Sequence, residues 1–364
     1  MPDKAYGALA PPLYLSTTFE RSADGSYPLG FEYARDDNPN RHDFEHAISE
    51  MEAGVDAAAF ASGSAAIMTL FQALRPGDRV IVSHDCYYGV RQMLERVFVP
   101  WGLRVDLVDT TQLSALERAL ENPAKIIFVE TPSNPLIRIS DLTQITQLAH
   151  SHGALVVCDN TIATPELQRP FEHGVDVVVH STTKYCSGHH DAMGGVLVAR
   201  EHSAYWESIR FLQRLCGCVP SPFAAWLTSR DLTTLSLRVR AQGDTAFRLA
   251  QFLEAHPGIE RVHHPSLPAH PDYEVARRQL RGPVALFSIQ VRGGREEAMR
   301  VAANARVFKR ATSFGGVESL IEHRASIEGP RSTTPPNLLR IAVGLEPFDA
   351  LKADLDRSLV APAE

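Results

Sequence analysis

Cysteine is scarce: five are scattered over 364 residues, at positions 86, 158, 186, 216 and 218, with one close pair, Cys216-Gly-Cys218. An odd, dispersed set argues against a disulfide framework and predicts reduced thiols. One close pair without a second is a poor zinc site, so no metal is expected. No stretch reaches the ~20 apolar residues of a membrane span. The opening Met1-Pro-Asp-Lys-Ala-Tyr-Gly has neither the basic region nor the apolar core of an export signal, so the expectation is a cytoplasmic chain with no membrane contact. Basic residues do not cluster either. With 36 Lys and Arg against 43 Asp and Glu, the formal charge is −7 and both signs are mixed throughout, which argues against nucleic acid as a partner. Internal repeats, low-complexity segments and the glycine-rich patterns GxGxxG and GxxxxGK[ST] are all missing.

What is present is an ordinary globular composition, 44% hydrophobic and 22% charged, in a chain long enough for one large domain and a smaller one. Residues 1–33, rich in Pro, Ser, Thr and aromatics, have no sustained periodicity and read as an extended arm that packs on another surface. From Arg41 the spacing Phe44, Ile48, Met51 predicts a helix stopped by Gly54, followed by a short strand at Ala57–Ala61. Apolar runs then predict strands at Arg79–Ser83, Arg104–Val108, Lys125–Glu130, Ala154–Cys158, Val175–His180 and Gly195–Ala199, with helical stretches such as Leu142–His152 between them. Alternation of this kind gives an α/β fold with a mostly parallel central sheet covered by helices on both faces, and ligands at the strands' carboxyl ends. Residues 34–228 are assigned to that domain. Beyond about Ala225 the pattern changes to a helix at Arg238–Ala255, a strand near Val262, strands at Val284–Val291 and Leu338–Val343, a helix near Glu296–Ala305 and a last helix from Phe348. Residues 229–364 are therefore expected to form a smaller C-terminal α/β domain.

Two strand ends stand out. The run Val175 to His180 leads into Ser181-Thr182-Thr183-Lys184, and the run Ala154 to Cys158 delivers Asp159, Asn160 and Thr161. A lysine for a Schiff base, an acid for a protonated ring nitrogen and hydroxyls for a phosphate are what a pyridoxal-phosphate (PLP) enzyme requires. Each residue also has a plainer reading. Lys184 alone is a surface lysine, and Asp159 alone is a helix cap. The turn Ala61-Ser62-Gly63-Ser64 leaves N–H groups at a helix start for a phosphate, but a ligand-free tight connection is equally compatible with it. His189-His190-Asp191 is read as a polar loop and His263-His264 as surface decoration. Tyr87-Tyr88 fits packing or stacking on an aromatic cofactor.

Taken together, Ser181-Thr-Thr-Lys184-Tyr-Cys-Ser-Gly188-His189-His-Asp191 resembles the lysine signature of the Cys/Met-metabolism PLP enzymes, which include cystathionine γ-synthases, cystathionine β- and γ-lyases and methionine γ-lyases. The resemblance continues through Tyr33-Ala-Arg35-Asp-Asp-Asn38-Pro39-Asn-Arg41, Glu130-Thr-Pro-Ser-Asn134-Pro135, Asp159-Asn-Thr161, Ser313-Phe-Gly-Gly-Val-Glu318 and Leu339-Arg340-Ile-Ala-Val-Gly344. It implies the aspartate-aminotransferase-like PLP fold (fold type I). It also implies that Lys184 is the Schiff-base lysine and proton shuttle, Asp159 the partner of the ring nitrogen with Thr161 beside it, and Tyr87 the stacking ring. Gly63, Ser64, Ser181 and Thr183 would hold the phosphate, with Tyr33 and Arg35 reaching it from a neighbouring subunit of a homotetramer. Arg340, helped by Asn134 and Ser313, would take the substrate α-carboxylate.

The chain departs from those relatives at positions that bear on substrate. Asp36 stands where many carry a second arginine, Thr312 where some carry an acid, Gly89 where methionine γ-lyases carry cysteine, and His190 where serine is usual. Glu32 is shared with some γ-lyases and synthases. The implied activity is a C–S lyase eliminating the sulfur substituent of an amino acid such as cystathionine. Alternatives are γ-replacement on an O-acyl homoserine, and a γ-lyase or racemase for an amino acid with a cationic distal group, which Glu32 and Asp36 would favour.

Overall fold

The structure, a computed structural model, describes residues 6–330 and 332–360. Strands β1 (Asp56–Phe60), β2 (Arg79–Ser83), β3 (Arg104–Val108), β4 (Ile126–Glu130), β5 (Leu155–Asp159), β6 (Val177–His180) and β7 (Gly195–Ala199) form one sheet in the order β1-β7-β6-β5-β4-β2-β3. Strands β2 to β6 pair in parallel, while β7 is antiparallel to both β6 and β1. The predicted, mostly parallel α/β sheet is therefore present, each strand within two residues of its expected ends.

Alternate strand residues feed two different cores. Ile127, Val129, Val156, Cys158 and Val178 pack with Ile48, Leu116 and Ile145 from helices on one face. Phe128, Val157, Val177 and Val179 pack with Leu70, Phe71 and Trp206 from helices on the other. A sheet buried on both faces needs continuous apolar strands, which is why runs such as Ile126-Ile-Phe-Val are legible in the sequence. Each such side chain contributes about 1.5–3 kcal/mol on burial.

The first helix, Pro39–Glu52, starts two residues earlier than expected, because the Asn38 carboxamide accepts from Asn40 N at 3.0 Å and Pro39 takes the first helical position. It ends on Ala53, in the left-handed region at φ 60°, rather than on Gly54. Gly54 is needed for a different reason: a Cβ there would lie 2.5 Å from Val198 Cγ1. Ahead of this helix the described residues of the arm form turns and isolated bridges, among them Thr18 to Tyr33. The arm is tied down by Asn40, which donates to Pro12 O and accepts from Tyr14 N, each at 2.8 Å.

The remaining strands, β8 (Ile259–His263), β9 (Leu286–Val291), β10 (Lys309–Arg310), β11 (Leu320–His323) and β12 (Leu338–Ala342), form a second sheet in the order β10-β11-β12-β9-β8, antiparallel except for β10 with β11. Its outer face packs on helices Leu235–Glu254, Gly294–Asn304 and Phe348–Leu359 through Phe287, Ile289, Leu339 and Ile341. Strands β10 and β11 were not anticipated, and His263-His264 is not surface decoration. Both rings are buried, with His264 Nε2 3.1 Å from Val284 O and its pKa pushed down to about 3 by burial. All five cysteines are free, as expected, and no helix among the described residues is long and apolar enough to cross a membrane.

Candidate active site

A cavity of about 420 Å³ opens at the carboxyl ends of β4, β5 and β6 and is closed from the opposite side by Arg340 of β12, the helix Arg324–Glu328 and the segment 312–314. It gathers Gly63, Ser64, Tyr87, Asn134, Asp159, Thr161, Ser181, Thr183, Lys184, Thr312, Ser313 and Arg340. These come from widely separated parts of the chain, as the rule for open α/β sheets requires.

Lys184 lies in a tight turn after β6, where Lys184 N bonds Ser181 O at 3.1 Å and Gly188 N bonds Lys184 O at 2.8 Å. Gly188, at φ 70°, leaves room for Arg238, whose Nη1 donates to Tyr185 O at 2.8 Å and pins the turn from beneath. The lysine Nζ donates to Ser313 Oγ at 2.8 Å and lies 5.1 Å from the centre of the Phe314 ring. Burial, reinforced by the charge of Arg340, pulls its pKa down to about 8. The amine is thus available as a nucleophile and base much closer to neutrality than an exposed lysine.

Two carboxylates stand side by side at adjacent strand ends, since Glu130 and Asp159 are paired in the β4–β5 register. Both are buried. Burial and the neighbouring Asp159 push the Glu130 pKa well up, whereas the rise that burial imposes on Asp159 is opposed by Thr161, whose N and Oγ1 donate to Asp159 Oδ1 at 3.0 and 2.5 Å. The two acids therefore differ in their support: hydrogen bonds from Thr161 favour the charged form of Asp159, while burial and its neighbour disfavour that of Glu130. Thr161 Oγ1 also accepts from Ser181 N at 2.9 Å, locking the β5 and β6 ends together. Glu130 Oε2 accepts from Tyr87 N at 2.6 Å, which fixes the start of the tyrosine segment. Gly89 matters to the same ring: a Cβ there would lie 2.4 Å from Tyr87 Cε1.

The helix Gly63–Gln72 begins at the pocket, capped by Ser62, which accepts from Ala65 N at 3.1 Å. Gly63 faces Ser181 so closely that a Cβ would come within 2.8 Å of the serine Cβ. The Gly63 and Ser64 N–H groups have no hydrogen-bond partner among the described residues. The Thr183 hydroxyl is engaged with its own loop, accepting from Gly194 N at 3.0 Å and donating to Gly194 O at 3.2 Å.

Across the cavity, Arg340 is buried on β12. Its Nη1 donates to Asn134 Oδ1 at 3.2 Å, and its Nη2 donates to Ser313 O at 2.8 Å and pairs with Glu322 Oε2 at 2.6 Å. Burial lowers its pKa to about 10, so it remains a cation at neutral pH. Ser313 takes a positive φ of 85°, turning its hydroxyl to Lys184 and its carbonyl to Arg340.

Four anticipated residues lie outside this cavity. Glu32 and Tyr33 are exposed, and Arg35 donates to Arg214 O and pairs with Asp36 at 3.1 Å. Within one chain they do not join the pocket lining. Several lining residues were given no role from the sequence: Glu130, Phe314, Arg324, Ile327 and Glu328. Glu130 had the same signal as Asp159, an acid ending an apolar strand. Arg324 and Glu328 had none beyond an unremarkable i,i+4 pair.

The residues present suit PLP. Free helix-start N–H groups and the bare Gly63 surface beside Ser181 make a phosphate cradle, a buried carboxylate faces a site for a ring nitrogen, and a deprotonatable lysine stands between them. Comparison with known proteins agrees. Cystathionine gamma-synthase of Mycobacterium tuberculosis is 43% identical over 364 residues, covering 98% of this chain and 94% of the relative. Cystathionine beta-lyase of Coxiella burnetii is 37% identical over 367 residues, with coverage of 98% and 95%. The solved structure of cystathionine gamma synthase from Xanthomonas oryzae pv. oryzae in complex with aminoacrylate and cysteine superposes with a TM-score of 0.95 at 36% identity, covering 98% of this chain and 94% of that one. The family model described as Cys/Met metabolism PLP-dependent enzyme matches residues 1–360, and with the pocket above it shows that this chain belongs to that enzyme family.

Proposed function

We propose that the chain is a C–S lyase that eliminates the sulfur substituent of an amino acid such as cystathionine, releasing ammonia, a 2-oxo acid and a thiol. The observation that carries the proposal is Lys184, an amine with a pKa of about 8, held 2.8 Å from Ser313 beside the buried Arg340. A base and a carboxylate receptor meet at Ser313 in one cavity, so a bound amino acid presents its Cα proton to the lysine.

When bound, PLP supplies an aldehyde that captures an amine and a conjugated ring that accommodates a carbanion. The chain's own residues do the rest. Gly63, Ser64, Ser181 and Thr183 hold the phosphate, Tyr87 stacks on the ring, and Asp159 with Thr161 keeps a negative charge against the ring nitrogen. Arg340, with Asn134 and Ser313, orients the α-carboxylate. Lys184 moves the Cα proton and delivers it where the leaving group requires. Tyr33 and Arg35 complete the phosphate site from a neighbouring subunit. That reading is supported by their position outside the cavity of their own chain, and it entails a homo-oligomer, a tetramer by family resemblance. The divisions 1–33, 34–228 and 229–364, and a cytoplasmic location supported by five free thiols, belong to the same proposal.

A second reading, γ-replacement on an O-acyl homoserine, is favoured by the name of the 43% identical relative. It shares every residue role up to loss of the leaving group and differs in admitting a thiol afterwards. Product analysis separates the two. Incubated with L-cystathionine, the holoenzyme is expected to release pyruvate or 2-oxobutyrate with ammonia. Cystathionine formed from an O-acyl homoserine and cysteine, at a rate exceeding that release, would replace the lyase reading with the synthase one.

A further inference from the structure

Beside Arg340 lies a second buried arginine. The β11–β12 register sets Glu322 opposite Arg340 on one sheet face, and the helix Arg324–Glu328 begins two residues beyond Glu322. Glu322 Oε2 accepts from both guanidinium groups, Arg340 Nη2 at 2.6 Å and Arg324 Nη1 at 3.1 Å. Arg324 Nη2 pairs with Glu328 Oε1 at 3.1 Å. Glu328 Oε2 accepts from Ser332 Oγ at 2.6 Å and Thr334 Oγ1 at 2.7 Å. All four charged side chains are at least nine-tenths buried, and Arg324 and Glu328 line the cavity.

A one-to-one pair of Arg340 and Glu322 would be neutral, and a substrate carboxylate would have to displace Glu322 to reach the cation. Arg324 shares the same oxygen, so the charge of Glu322 is divided between two guanidinium groups, and Glu328 balances Arg324 in turn. Each terminal nitrogen of Arg324 is bonded to a carboxylate, Glu322 or Glu328, which fixes the guanidinium between the two acids. We infer that Arg324 is a positioning residue, holding Glu322 so that Arg340 remains free to receive the substrate α-carboxylate. The inference rests on the active-site reading above but not on which C–S reaction follows.

The test compares wild-type, Arg324→Met and Arg324→Lys holoenzymes. Binding of L-alanine, which has no leaving group, is read from the visible absorbance of the bound cofactor and needs no turnover. Arg324→Met is expected to weaken L-alanine binding and raise the substrate KM roughly tenfold, the worth of one charge-assisted hydrogen bond, with kcat nearly unchanged. L-Alaninamide, which lacks the carboxylate, is expected to bind both proteins alike, and Arg324→Lys to recover most of the loss. Equal weakening of alanine and alaninamide, or a fall in Tm with alanine affinity unchanged, would show a structural role and overturn the inference. A loss confined to substrates with a second, distal carboxylate would also overturn it, in favour of direct recognition. A wild-type holoenzyme that gives no alanine response overturns the active-site reading and this inference together, whereas a response that Arg324→Met leaves unmoved overturns the inference alone.

Discussion

The two walls of the cavity solve the problem of buried charge in opposite ways. On the wall built by the parallel sheet, Glu130 and Asp159 are neighbouring acids with no cation paired to either among the described residues, and burial raises both pKa values. On the wall built by the antiparallel sheet, Arg340, Glu322, Arg324 and Glu328 neutralise one another within 3.1 Å. The first arrangement is costly unless something positive arrives, while the second is already satisfied within the protein. An unpaired acid at the end of a strand thus marks where a cofactor supplies the missing partner, and a closed ionic chain marks where the protein arranges itself to hold a substrate.

Substitutions on the first wall should therefore act on chemistry, and those on the second on binding. The largest effect is expected for Asp159→Asn, which keeps the shape but removes the charge facing the ring nitrogen. Its kcat should fall by roughly two to three orders of magnitude, as when one preorganised electrostatic partner is lost, with a much smaller change in KM. A change confined to KM would erase the distinction between the walls. The Arg324→Met experiment is the converse, a roughly tenfold effect expected in KM rather than kcat.

A smaller effect separates the walls through stability. Lys184 titrates at about 8 in the folded chain against 10.5 unfolded, so below pH 8 the folded state carries a buried charged amine and is destabilised. That cost shrinks between pH 8 and 10.5 and vanishes above, where both states are neutral. Lys184→Met, measured without cofactor, should raise Tm by a few degrees at pH 7 and by progressively less toward pH 10. A gain that does not shrink with pH would mean that packing rather than charge is responsible.

The first wall was legible in the sequence and the second was only half so. Strands buried on both faces read as apolar runs, so Asp159 at the end of β5 and Ser181 just after β6 follow directly; Glu130 ends a run in the same way and could have been found by the same rule. β11 reads Leu-Ile-Glu-His, two apolar and two polar residues, all buried. Its charge is tolerated only because Arg340 and Arg324 arrive from elsewhere, and no local pattern encodes that. His264 reads as surface for a related reason, since a histidine pair at the end of β8 looks polar until the chain closes over it. Arg340 and Ser313 were placed by resemblance rather than by periodicity. Glu32 and Asp36, offered as pocket acids, lie outside the cavity of their own chain, and Asp36 is paired with Arg35. Any influence they have on a distal substrate group must come through a neighbouring subunit.

The most direct test of the central claim, that Lys184 holds the cofactor and moves the proton, is a titration of purified protein with PLP, followed by visible absorbance and by turnover of L-cystathionine, for wild-type and Lys184→Ala. The account predicts a saturable visible band with wild-type, and with Lys184→Ala loss of that band and a fall in activity of roughly three orders of magnitude or more. Wild-type protein that takes up no cofactor, or a Lys184→Ala variant that keeps both the band and the turnover, would contradict it.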